Sequence, residues 1–288
     1  MHGRTMRHKR EISKVLIFLG PSFIGVMIFI LIPFADAIRR SFSEAMSSKF
    51  VGLDNYNAVF HNNAFLLAVK NTSRFLITCI PILLFLSFIL SVVLVSTKKQ
   101  YEWVKTAYLI PMAIPVASVV LLWKLFFHEN GLINHLFLTM GRTPIDFMNT
   151  NAAFYVLIFS YVWKNCGYDM VLWIAGLMAI PESVYEAASV DGAGMIAKFR
   201  FITFPEMIPT LIMITILSII NSFKVFREAY MISGSYPHDS IYMLQHLFNN
   251  WFITLDVQKM CAAAVLLTSI ILSFILFLNW ITSRRDSK

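Results

Sequence analysis

The sequence predicts an all-α integral membrane protein: six transmembrane helices whose outer loops are the longer ones, with a polar inner loop over residues 181–205. Three observations carry that expectation. The 288 residues are 58% hydrophobic and 14% charged, with a mean hydropathy of +0.68; a water-soluble globule of this length carries about a quarter charged residues. Six stretches approach or exceed the ~20 largely apolar residues that a hydrocarbon core demands. Lysines and arginines flank those stretches instead of gathering into one patch.

Taken in order, the basic residues 1–14 lead into an apolar run over 15–32. The layout imitates a secretory signal, and Ala35-Asp-Ala37 imitates a cleavage site. The run is longer than the ~7–15 residues of a signal core, so it reads as a retained first span over 13–38. The second span, 73–96, is uncharged after Arg74. The third, 106–127, contains Pro111 and Pro115, which shape a kinked helix. Lys164 and Asp169 interrupt the fourth, 152–180. The fifth covers 206–225 and the sixth 260–282. In domain terms, 1–70 hold the N-terminus, first helix and outer loop, 71–283 the membrane core, and 284–288 a tail.

Orientation follows from the basic residues. Arg4, Arg7, Lys9, Arg10 and Lys14 precede the first span. Lys98, Lys99 and Lys105 separate the second from the third. Lys198 and Arg200 lie in the polar loop, and Arg284, Arg285 and Lys288 end the chain. An even number of spans puts all four groups on one side, the cytoplasm by the positive-inside rule. Arg39 and Arg40 fall outside and weaken the bias without reversing it. The expected location is a bacterial or archaeal cell membrane, multi-pass, with both termini cytoplasmic.

Several chemistries are disfavoured. The formal charge of +8 is distributed to meet anionic lipid, not nucleic acid. Cys79, Cys166 and Cys261 sit in apolar runs without Cys-x-x-Cys, as packed thiols do. The histidines lack ligand spacing, so no metal site is indicated. There is no Gly-x-x-x-x-Gly-Lys-Ser/Thr for ATP, and Gly192-Ala-Gly194 lacks the third glycine and preceding strand of a dinucleotide site. No catalytic triad or carboxylate pair is discernible on a loop; the chain is read as non-enzymatic.

Two places remain for function. In the polar loop, Ser183 and Glu186 have capping-box spacing, with Pro181 ending the preceding span. A short helix then runs to Asp191-Gly192, where glycine supplies the positive φ of a helix ending. Ala187, Ala188, Ala193 and Gly194 keep side chains short for close backbone approach, and Pro205 opens the next span. The second place is the polar set within spans, where each charge costs about 2.5–3.5 kcal/mol on insertion scales. Lys164 pairs in helical register with Tyr168, and Asn165 with Asp169. Gly167 between them permits a kink. Asn221, Ser222 and Lys224 form a second set. Two readings stay open: a wet solute pathway, or buried pairs to another helix or subunit.

The loop's wording resembles a known family. Glu186-Ala187-Ala188, three residues, Gly192, nine residues, then Ile202-x-Phe204-Pro205 is similar to the cytoplasmic EAA loop of ABC importer permeases, with Phe204 where leucine is usual. Asp191-Gly192-Ala193 and Pro209 resemble the sugar-importer branch, as do Phe50-Val-Gly-Leu-Asp-Asn-Tyr56, Asn71-Thr72, Gly131-Leu-Ile-Asn134 and Phe223-Lys-Val-Phe226. Gly234-Ser-Tyr-Pro237 departs from the usual Gly-Gly-Pro. The resemblance implies a type I importer permease whose Glu186–Gly192 segment is a coupling helix seated in a separate ATPase dimer, with Ser183, Ala193 and Pro205 in the same coupling loop. Glu186 would meet a cation there, Ala187 and Ala188 would pack closely, and Gly192 would make the corner. ATP and Mg would be bound by the ATPase, leaving no cofactor in this chain. A second, different permease, an extracytoplasmic solute-binding protein and membrane lipid are the other implied partners, and a sugar or oligosaccharide the implied solute. The alternative is an ion-gradient-driven secondary transporter using Lys164 and Asp169 as a relay.

Overall fold

A computed structural model describes residues 18–45, 49–96 and 101–286. The basic residues 4–14, with Lys98, Lys99 and Lys288, lie outside the described residues. The described chain is helical almost throughout, with an isolated bridge between Ser43 and Phe50. It divides into two compact units, Met1–Asn62 with Trp251–Ile271, and Asn63–Asn250 with Leu272–Lys288.

In the first unit, α1 (Phe18–Ser41) is apolar and exposed along nearly its whole length. Its last turn carries an ion cluster in which Arg39 and Arg40 donate to the Asp36 carboxylate at 2.9 and 2.6 Å. Helix α2 (Asp54–Phe60) follows. The Phe50–Tyr56 stretch folds the connecting loop back onto α1: the Tyr56 and Ser41 hydroxyls lie 2.7 Å apart, and Asn55 Nδ2 donates to the carbonyls of Ser41 and Ser43.

The second unit holds α3 (Asn63–Ser96), α4 (Tyr101–Ala113), α5 (Val116–Phe127), α6 (Leu132–Thr139), α7 (Ala152–Ala179), α8 (Glu182–Val190), α9 (Met195–Lys198), α10 (Phe204–Ser222) and α11 (Phe226–Ser233). Helices α12 (Leu244–Ile253) and α13 (Val257–Asp286) run across the division in sequence. Its spine is α3 against α7, where Phe75, Cys79 and Leu83 meet Phe154, Leu157 and Tyr161. Further along, the Trp173 indole donates to Ser87 Oγ at 3.1 Å and stands edge-on to Phe88.

Among the described residues, five helices are long and apolar enough to cross a bilayer, or six if the bent α7–α8 pair is one span. Their bounds correct the sequence expectation in three places. The second span begins at Asn63, and the Asn71-Thr72 pair, expected just ahead of it, is buried inside and serves other segments. Asn71 Nδ2 donates to the Tyr242 carbonyl at 2.9 Å, and Thr72 Oγ1 accepts the Leu244 N–H at 3.1 Å. The stretch expected as the third span, 106–127, is divided between α4 and α5 at Ile114–Pro115, and the membrane-length helix there is Val116–Thr139. Pro115 has no N–H for the Pro111 carbonyl, which takes a long 3.4 Å bond from Ile114 instead. The fifth does not start at 206: a π-turn at Phe199–Thr203 joins α9 to α10, so helix runs over Met195–Met231, 37 residues.

Gly167 does not kink its helix. α7 is continuous from Ala152 to Ala179, and a Cβ at residue 167 would lie 1.8 Å from the Tyr108 carbonyl oxygen. The glycine is a seat for the α4 backbone. The Gly131–Asn134 motif is also structural: buried Asn134 accepts the Ile145 N–H at 2.8 Å and donates to the Ile145 and His128 carbonyls.

Candidate functional site

At the end of α7, Ile180 turns extended ahead of Pro181, as residues before proline do. α8 leaves at 59° to α7. The expected capping box is not formed. Pro181, its φ at −60°, occupies the cap and starts the helix ahead of Ser183, and no side chain caps it. The other end closes as the sequence requires. Gly192 has φ +76°, the Ala193 N–H reaches the Ala188 carbonyl at 2.8 Å, and the Gly192 N–H reaches the Ser189 carbonyl at 3.1 Å. Those two bonds make a Schellman ending, which needs a left-handed residue at the glycine.

No residue of α8 is buried. Ser183, Glu186, Ala187, Asp191 and Gly192 are exposed, Ala188, Ala193 and Pro205 half-buried. Val190, Met195 and Ile196 present apolar side chains that are 83–88% exposed around the corner. The protrusion is nonetheless braced: the Tyr185 and Thr203 hydroxyls are 2.9 Å apart, and Lys198 Nζ donates to Ser189 Oγ at 2.6 Å.

Elsewhere in this unit, α7 and the 221–228 segment face the α4–α5 break across a polar cleft of about 420 Å³. Lys164, Asn165, Asn221 and Lys224 line it, together with Tyr161, Arg227 and Glu228. Lys164 Nζ donates to Glu228 Oε1 at 2.6 Å. Lys224 Nζ donates to Asn221 Oδ1 at 2.7 Å, and Asn165 Nδ2 to the Tyr161 carbonyl at 2.8 Å. A broken backbone is tolerated at membrane depth where it lines a wet cavity, and Ile114 and Pro115 do line this one.

Three expected residues are elsewhere. Asp169 is buried and accepts the Ser218 hydroxyl at 2.8 Å, while the Ser218 carbonyl accepts from Tyr161. Ser222 is buried with its hydroxyl on the Ile219 carbonyl. Tyr168 does not reach the cleft wall. Lys164 and Asp169 therefore face different partners and do not contact each other. Glu228 and Arg227 were missed by the sequence reading. The signal for Glu228 was available: a lysine midway along an apolar span requires a counter-charge, and Glu228 follows the 221–224 polar set by one helical turn. Of the aromatic residues beside these sets, which could stack on sugar faces, Trp163 packs on Trp123 and Phe226 on Tyr230.

Residues 58–287 match the family model of the binding-protein-dependent transport system inner membrane component. The chain belongs to that family. Relatives of this permease include the trehalose/maltose transport system permease protein MalF of Thermococcus litoralis, 29% identical over 96% of each chain. Another is the sulfoquinovosyl glycerol transport system permease protein SmoG of Agrobacterium fabrum, 30% identical over 88% of this chain and 84% of that one. The permease fold also superposes on a bacterial ABC transporter that imports the acidic polysaccharide alginate, with a TM-score of 0.82 at 22% identity, covering 99% of this chain and 100% of the other. The same transporter in complex with its alginate-pentasaccharide-bound periplasmic protein gives 0.82 at 21%. The expected fold class, an all-α ABC importer permease, is thereby met.

Proposed function

We propose that the chain is the transmembrane subunit of an ATP-driven, binding-protein-dependent importer for a sugar or oligosaccharide, with α8 and its Gly192 corner as the element that engages a cytoplasmic ATPase. The observation that carries this is the exposed, small-sided, internally braced protrusion between membrane-length helices. An ordinary surface helix would bury its apolar residues in its own fold, whereas Val190, Met195 and Ile196 stand clear of it. The relatives named for trehalose/maltose and for sulfoquinovosyl glycerol support a carbohydrate solute. Closure of an ATPase pair would press on α8, and the cleft around Lys164 would be the stretch of solute pathway this subunit supplies. A second permease and an extracytoplasmic binding protein complete the assembly. Lys164 and Asp169 do not meet, which disfavours the ion-gradient alternative.

The test is uptake into sealed vesicles carrying the whole importer. ATP should drive uptake with ionophores present. Ala188→Trp and Gly192→Val should abolish it while membrane insertion stays normal, since one fills the packing face and the other puts a β-branched residue at φ +76°. Uptake that ignores ATP depletion but collapses with an ion gradient, or survives both substitutions, would overturn the reading.

A further inference from the structure

Charge in the cleft does not balance, and this observation, taken with the solute-pathway reading on which it rests, points to the kind of solute. Lys164 is answered by Glu228 at 2.6 Å, both side chains being mostly buried. Lys224 has the neutral Asn221 amide oxygen at 2.7 Å, and Arg227 has no carboxylate partner among the described residues. The lining thus carries Lys164, Lys224 and Arg227 against Glu228, three cations to one carboxylate, or 3 − 1 = +2. Lys224 and Arg227 are three apart, which places them on neighbouring positions of one helical face. The facing wall, Met112 to Val116, supplies no charge. Lys224 and Arg227 are both exposed at the cleft, so their charge is open to a partner that enters it. A neutral sugar offers these groups hydroxyl acceptors alone; an anion adds opposite charge, and guanidinium and ammonium are the groups that pair with carboxylate, phosphate or sulfonate.

We propose that this cleft admits solutes that combine hydroxyl groups with an anionic group (a carboxylate, phosphate or sulfonate), the anion being met by Lys224 and Arg227 while Glu228 holds Lys164 in place. Asn165 and Asn221 remain as amide partners for the hydroxyls.

The experiment reads the local potential in the complete importer, reconstituted in lipid nanodiscs. Met112→Cys and Ala113→Cys each place a thiol on an exposed position of the cleft wall, and the native Cys79, Cys166 and Cys261 are buried, so the parent complex gives the background. Each thiol is treated with an anionic sulfonatoethyl and a cationic trimethylammonioethyl methanethiosulfonate, with rates normalised to those of a free thiol. A net charge of two within several ångströms should favour the anionic reagent by at least about tenfold. Adding Lys224→Gln with Arg227→Gln should bring the ratio close to unity. A ratio near or below unity in the charged cleft would overturn this inference and leave the pathway reading standing. Failure of both reagents to reach either thiol would overturn the pathway reading and this inference with it.

Discussion

Lys164 and Glu228 show how a single pair of side chains can organise a membrane interior. A lone ammonium within an apolar span is expensive; with the carboxylate at 2.6 Å it becomes a fixed donor at the edge of the cleft. Removing one partner leaves the other buried and unanswered, so Glu228→Leu or Lys164→Met should each cost about 3 kcal/mol. The double variant, apolar on both sides, should recover much of that loss. Thermal unfolding of the four proteins in nanodiscs measures the coupling; strictly additive losses would mean the two side chains do not act as a pair. Sequence alone exposed Lys164 as anomalous but could not choose among carboxylates, because its partner lies 64 positions away and no local spacing links them. Asp169 was as conspicuous and proved to be held by a serine hydroxyl instead.

Individual helices were legible where a local rule decides them, and less so where a neighbour does. Gly192 at φ +76° and the extended residue before Pro181 follow from backbone sterics that any reader of the chain can apply. The Ser183–Glu186 box failed because Pro181, two positions upstream, claims the cap by its own stereochemistry. Gly167 was misjudged for a different reason: its role is set by α4, which touches it from another part of the chain. Gly167→Ala should therefore force α4 away from α7 and destabilise the bundle by about 1–3 kcal/mol, the usual range for overpacking. A lowered melting temperature is the expected result. An unchanged one would mean that α4 does not seat on that glycine.

At the scale of the molecule, composition alone announced a bilayer protein, and the structure agrees in a specific way: no more than 28% of the most apolar window of any single candidate span is buried within the chain. Sidedness can be checked directly. Val190→Cys should react with a membrane-impermeant maleimide in inverted vesicles and stay protected in right-side-out ones; the reverse pattern would place the protrusion outside and remove it from any cytoplasmic motor. One further property comes from the unbroken helical stretch Met195–Met231. It starts beside the Gly192 corner and ends at Lys224, Arg227 and Glu228, roughly 50 Å away at 1.5 Å per residue. Over that reach a tilt of roughly 5° displaces the far tip by roughly 4 Å, more than the length of a hydrogen bond. With α8 as the coupling element proposed above, such a tiller would let a small push at the handle make or break the polar contacts at its other end.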